Sequence, residues 1–249
     1  MSVIVKEIHK DIFWVYTPSY YNCTYILKRG ADTILIDAGM RSDASDIRSA
    51  LEQVGISVQC ITAIVLTHWH NDHSAGTAAL KELSGCQTFC HVDEAGYFQK
   101  EPGSGFRRLA DFIPERGILV LFKGLIGDVV PKRVKIDHFV ADGDRILDDL
   151  EIIKTPGHTN GHIAIYDHSS GFLFAGDALA VIRQRLRLMA GPVTPDKERA
   201  RASIIKLLSG RSIKGICPGH REPLVINVAD EIARFRKEVL HLKRWPLLG

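Results

Sequence analysis

Short apolar runs broken by turn signals fill the first third of the chain, and further on they alternate with stretches whose apolar residues recur at helical spacing. Residues 3–5, 12–16 and 24–27 are rich in β-branched and aromatic types and predict strands. The third of these ends in Lys28-Arg29-Gly30-Ala31-Asp32, a turn. Residues 33–36 form a continuous apolar run, read as a buried strand, that stops at Asp37-Ala38-Gly39. Ile47, Leu51 and Val54 mark one face of a helix, capped by Ser42 or Asp43 and stopped at Gly55. Residues 61–66 predict another buried strand, residues 74–83 a helix ending at Ser84-Gly85, residues 87–92 a strand, and a helical stretch starts at Asp93.

The pattern is ambiguous over residues 100–134, and strand-like runs return at 151–155, 162–166 and 171–175. Thr194 and Pro195 predict an N-cap with proline in the first helical position, and Gly210 closes that helix. Residues 213–217 predict a last strand and residues 227–242 a last helix. Helices follow many of the strands, so the expected class is α/β with both sheet faces covered. No repeat, low-complexity tract or linker divides the 249 residues, and one domain over 1–249 is the simplest reading.

Composition narrows the partners. A net charge of +3, from 32 basic and 29 acidic residues, gives no basic surface of the kind nucleic acid or a membrane would select. Five cysteines cannot all pair, none forms C-x-x-C, and most sit in apolar runs, which predicts buried thiols in a reducing, cytoplasmic setting. No apolar run approaches the roughly 20 residues that span a bilayer.

Candidate chemistry concentrates after the strand runs. His68-Trp69-His70-Asn71-Asp72-His73 puts four ligand-type residues into six positions directly behind the run at 61–66. His68 and His70, two apart, project to one side of an extended backbone and can share an ion. Asp72 and His73 lie where the chain turns toward a helix and can face a second ion. Thr155-Pro156-Gly157-His158, Gly176-Asp177 and Pro218-Gly219-His220 each place a ligand-type residue just past an apolar run, where catalytic groups gather in layered α/β proteins.

In their order along the chain, H-x-H-x-D-H, T-P-G-H-T-x-G-H, G-D and P-G-H resemble the metallo-β-lactamase superfamily. The resemblance implies a four-layer αββα sandwich of two mixed β-sheets with helices outside. It implies that His68, His70 and His158 hold one metal, that Asp72, His73 and His220 hold another, and that Asp177 bridges them. Asp37 matches the aspartate that orients a ligand ring in the family; the alternative is that it caps the following turn. His162 is expected to support the site without binding metal.

Two divalent ions carry +4, Asp72 and Asp177 supply −2, and a bridging hydroxide leaves +1 to stabilise an oxyanion. Asp72 and Asp177 are therefore the expected catalytic carboxylates. Five imidazoles and two carboxylates suit zinc first, with iron or manganese open. A structural zinc site would be closed and rich in cysteine, and no cysteine belongs to this set.

The superfamily includes thioesterases such as glyoxalase II, lactonases, β-lactamases, phosphodiesterases, nucleases and iron-dependent redox enzymes. Aspartate at 177, where family β-lactamases commonly carry cysteine, argues against antibiotics. An intact histidine set argues against flavin-linked di-iron oxidases. A hydrolase of a thioester, lactone or related acyl ester fits best, attacking with the metal-bridging hydroxide. Iron-dependent sulfur dioxygenation, phosphodiester cleavage and a low-turnover binding or regulatory module are the alternatives. The glycine-rich basic segment that glyoxalase II uses for glutathione is absent. The long gap from His73 to His158 contains the ambiguous segment at about 100–134, open as a cap over a small-molecule pocket, a packed helical excursion or part of a homodimer contact. Arg183, Arg185 and Arg187 alternate, so in extended chain they would share one face and could receive an anionic substrate; charge runs of this kind are more often a solvated face.

Overall fold

The computed structural model describes residues 3–18, 21–99, 133–147 and 149–247. Contacts divide the chain into two compact units, Met1–Cys90 with Glu94–Phe139, and His91–Asp93 with Val140–Gly249. Most of the segment at 100–134 lies outside the described residues, so its readings stand as expectations. Among the described residues, no helix is long and apolar enough to cross a membrane.

The first unit is built on a mixed sheet whose spatial order follows the chain. Strands β1 (Ile4–His9), β2 (Ile12–Thr17), β3 (Asn22–Arg29) and β4 (Asp32–Ile36) form an antiparallel meander. Its tight turns place Asp11 and Gly30 in left-handed backbone, φ 61° and 64°. Strand β5 (Ile61–Val65) then joins β4 in parallel, which demands a crossover, and helix α1 (Ser45–Gln53) supplies it. The short α2 (Asn71–Ser74) and α3 (Thr77–Ser84) cross from β5 to its parallel neighbour β6 (Gln87–His91). Helix α4 (Val92–Gln99) follows at once, and β7 (His138–Val140) completes the sheet. The apolar face of α1 buries Ile47, Ala50 and Leu51 in a core with Ile26, Leu35, Ile64, Leu80 and Phe98.

Two helix starts differ from expectation. Ala44, in left-handed backbone at φ 54°, is the N-cap of α1, with no side-chain cap. The Asp43 carboxylate instead accepts the Ser45 N–H at 3.0 Å, two residues on, which forms a local turn before the helix begins. The long helix after the ligand segment begins at Thr77 instead of residue 74, because residues 71–74 coil into α2 first. At Gly76, between the two helices, an added Cβ would run into the Ala38 backbone carbonyl, so only glycine allows this approach.

The second unit carries a second mixed sheet. After β8 (Arg145–Ile146) come β9 (Leu150–Lys154), β10 (Ile163–Asp167) and β11 (Phe172–Gly176), then a separate ribbon of β12 (Ala180–Ile182) and β13 (Arg185–Arg187). Strand β14 (Gly215–Pro218) returns to pair with β11 in parallel, giving the order β14-β11-β10-β9-β8. Every residue of β10, β11 and β14 is buried, as continuous apolar runs should be when both faces are covered. Helices α5 (Lys197–Leu207) and α6 (Val228–Leu240) contribute Ile204, Leu207 and Phe235 to a core with Ile153, Leu173 and Leu186.

The cap of α5 is also a correction. Thr194 ends a 3-10 turn at Gly191–Val193, and Asp196 is the N-cap, its carboxylate accepting the Arg199 N–H at 3.0 Å. Strands β7, β8, β12 and β13, two or three residues each, are too short to display a period of two and were not expected from the pattern.

Candidate metal centre

In the first unit the ligand segment leaves the end of β5 and is held from below by Asp37. That residue closes β4 in left-handed backbone, φ 64°, with its side chain buried. Its Oδ1 accepts the Thr67 N–H at 2.8 Å, and its Oδ2 meets His73 Nδ1 at 2.9 Å and the Thr67 hydroxyl at 2.9 Å. The His73 ring thus has its Nδ1 proton fixed and turns Nε2 to the other side, the relation a metal-binding imidazole keeps with a carboxylate behind it. His68 is oriented the same way, with Nδ1 at 3.0 Å from the Thr67 hydroxyl.

The opposite edges of these rings converge. His68 Nε2 and His70 Nδ1 lie 3.1 Å apart, and His73 Nε2 is 3.7 Å from Asp72 Oδ2. Donor atoms of His68 and His73 also come within 4.8 Å of each other. His68 and His73 are fully buried, while His70 and Asp72 are half-buried. The one-turn helix α2 aims Asp72 and His73, and Asn22 on β3 ties it down by donating to the Asp72 carbonyl at 2.9 Å.

In the second unit the three donors also sit at strand ends. Parallel pairing of β11 with β14, extended by the Gly219 N–H donating to the Gly176 carbonyl at 2.8 Å, sets Asp177 beside His220. Asp177 Oδ2 is 3.3 Å from His220 Nε2 and 3.5 Å from His158 Nε2. His158 donates its Nδ1 proton to the Val193 carbonyl at 2.5 Å, so in the neutral ring the Nε2 lone pair faces the carboxylate. His162 does not point a donor into this group. Its Nε2 accepts the Asp177 N–H at 2.9 Å and its Nδ1 meets the Thr155 hydroxyl at 2.8 Å, so it holds the backbone of Asp177.

Both halves pass a chemical test for a bound cation. Ring nitrogens and carboxylate oxygens come within 3.1–3.7 Å of one another, so each close pair needs a proton or a cation between its lone pairs. The rings of His68, His73 and His158 are held by hydrogen bonds on their far nitrogens, as metal-ligating histidines are.

The sequence model for the family described as "Metallo-beta-lactamase superfamily" matches residues 16–220. The chain belongs to the metallo-beta-lactamase superfamily. Among curated relatives, "Probable metallo-hydrolase YflN" of Bacillus subtilis is 32% identical over 212 residues, covering 77% of this chain and 76% of that protein. A hydroxyacylglutathione hydrolase of Rhodospirillum rubrum is 30% identical over 139 residues, 55% of this chain and only 40% of that protein. Among solved structures, the metallo-beta-lactamase family protein TTHA1429 from Thermus thermophilus aligns at TM-score 0.65 and 22% identity, covering 93% of this chain and 80% of that one. TTHA1623, solved in a di-iron-bound form, aligns at TM-score 0.61 and 23% identity, covering 85% and 93%. These likenesses establish the α/β metallo-beta-lactamase fold, with mixed sheets flanked by helices, and a metallo-hydrolase superfamily that binds divalent metal.

Against this fold, the three arginines are not one row. Arg183 and Gln184 both adopt left-handed backbone, φ 52° and 57°, and form the turn between β12 and β13. Arg185 and Arg187 share the exposed face of β13, but Arg185 is drawn to Glu231 on α6 at 3.3 Å. The extended run that the alternation predicted is therefore broken at Arg183. All five cysteines are free thiols, four buried and Cys60 exposed. Burial, with the Glu94 carboxylate adding, pushes the Cys90 thiol up to about 12, so it is inert as a nucleophile.

Besides Asp37 and His162, several groups that hold the candidate ligands were not read from the sequence. Thr67 was legible in principle, since it stands between the strand and the first histidine. Asn22, the Val193 carbonyl and Glu94, which accepts the Trp69 N–H at 2.9 Å, come from distant positions and carry no local signal.

Proposed function

We propose that this chain is a metal-dependent hydrolase of acyl esters, with thioesters and lactones as its substrate class. In this reading His68, His70, Asp72, His73, His158, Asp177 and His220 bind two divalent cations, zinc first, with iron or manganese as alternatives. Such ions, when bound, supply a water ionised near neutral pH and positive charge for an oxyanion. The chain's own part is to fix the donors. Asp37 and Thr67 hold the rings of His73 and His68, the Val193 carbonyl holds His158, and His162 holds the backbone of Asp177.

Asp72 and Asp177 are the acidic members of the set, and two charges of −1 do not neutralise +4, which leaves the centre attractive to a developing anion. The partner is a small molecule. The observation that carries the reading is that, within each unit, ring nitrogens face neighbouring donors while the far edges are committed, to Asp37 and Thr67 in the first unit and to Val193 in the second. The thioester preference draws on the relatives named as hydroxyacylglutathione hydrolases.

Elemental analysis of the purified protein, run beside a panel of a thioester, a lactone and a phosphodiester, tests this. Two equivalents of metal and turnover of the acyl esters are expected, with Asp177→Ala losing both; a metal-free protein that turns over normally would refute it. A second reading, iron-dependent redox chemistry, is favoured by the structural neighbour solved with two irons. Iron in the purified protein together with oxygen uptake on a thiol substrate would select it.

A further inference from the structure

The second unit contains a cavity of about 390 Å³ whose walls include Ile182, Leu188, Leu242 and Pro246, with Arg187 and Arg244 among its lining residues. It is built by three pieces of chain: the β12–β13 ribbon, the end of α6, and the segment that follows α6. That last wall is fastened in place. Trp245 donates its indole N–H to the Met189 carbonyl at 2.8 Å, and the Gly191 N–H donates to the Pro246 carbonyl at 2.8 Å.

Charge around the cavity is unbalanced. Glu238 also lines it, but its carboxylate is engaged by Arg234. Glu231 beneath is shared by Arg234 and Arg185. The two acids are thus committed to two arginines, while Arg187 and Arg244 form no salt bridge or side-chain hydrogen bond among the described residues. Two uncompensated guanidiniums stand beside an apolar trough, and guanidinium is the group that matches a carboxylate fork.

We propose that this cavity binds a small organic anion with an apolar body, of the medium-chain carboxylate class, as a site separate from the seven donors of the metal centre. The body lies against Ile182, Leu188, Leu242 and Pro246, and the carboxylate is received by Arg187 and Arg244. A volume of about 390 Å³ falls within the range of small-molecule pockets and accommodates a chain of this size. The inference does not depend on which ester the enzyme cleaves.

Titration calorimetry of the metal-loaded protein with octanoate, 1-octanol and acetate tests it, alongside the double variant Arg187→Gln, Arg244→Gln. Both arginines are exposed, so the variant should fold, and an unchanged thermal midpoint verifies that. Saturable octanoate binding, at least about tenfold tighter than either octanol or acetate and weakened at least about tenfold in the variant, is expected. Octanol binding as tightly as octanoate would reduce the cavity to an apolar trough and overturn the proposal, as would acetate binding as tightly. Octanoate binding unaffected by the double variant would place the ligand elsewhere, for instance on the metals, and overturn it equally.

Discussion

Asp37 serves two neighbours, Thr67 and His73, with one buried carboxylate, from a left-handed backbone position that few residue types tolerate. Removing it should leave His73 free to turn and should weaken metal binding by about 10- to 100-fold, the usual scale for a lost partner behind a ligand. Asn keeps both the left-handed tolerance and an oxygen acceptor, so Asp37→Asn should retain more metal than Asp37→Ala in a chelator competition. Equal losses would mean that the carboxylate matters only for its charge. At this scale the candidate ligands and the nearby Asp37 and His162 carry a motif signal, while Thr67, Asn22 and the Val193 carbonyl carry none. His68 to His73 announce themselves as six consecutive positions, whereas Asn22 reaches the Asp72 carbonyl from fifty residues away and is invisible before folding.

Strand β9 carries its own electrostatic fastening. Arg211 meets Glu151 at 2.5 Å, and His168 meets it at 2.9 Å, and the hydrogen bond from Arg211 holds the Glu151 carboxyl below its ordinary range. The unfolded chain therefore takes up the proton first. Stability contributed by the pair is present above the ordinary value of about 4.3 and is lost as pH falls through that value and then through the lower folded one. Arg211→Gln should lower stability at neutral pH and flatten the acid limb, read as denaturant midpoints from pH 7 to 3; parallel curves would show that the pair does not couple.

Elsewhere among the elements, Gly157 precedes His158 at φ 141°, and an added Cβ would lie 2.5 Å from the backbone of Ala200 on α5. Gly157→Ala should cost about 1–3 kcal/mol by denaturation. Metal content should fall with it, since His158 is the next residue. The hydrophobic pattern located nearly every long element, because a run of five apolar residues or a helical stripe is a local property. It misplaced the caps of α1 and α5 and the start of α3: Ala44 and Gly76 sit where backbone packs closely against the helix start, and Asp196 caps α5 after a 3-10 turn that the pattern did not show.

For the molecule as a whole, ions that bind only the folded chain stabilise it by mass action, by about 2.7 kcal/mol when free metal is a hundred times Kd. Chelation should therefore lower the thermal midpoint of the native protein and leave that of Asp177→Ala nearly unmoved. A native midpoint indifferent to chelator would remove the thermodynamic basis for a resident ion. The architecture was legible because the motif order along the chain follows the strand ends: β5 before His68, β9 before His158, β11 before Asp177 and β14 before His220. What stayed out of reach was anything set by strands of two or three residues, such as the ribbon that breaks the arginine row.

The carbonyl of Val193 steers His158, and the stretch leading to it is moored at Met189 and Gly191 by Trp245 and Pro246 near the end of the chain. The segment behind α6 is thereby harnessed to one imidazole of the centre. Replacing Trp245 with Ala should slacken that harness and lower metal occupancy, read by elemental analysis, while leaving the sheets intact.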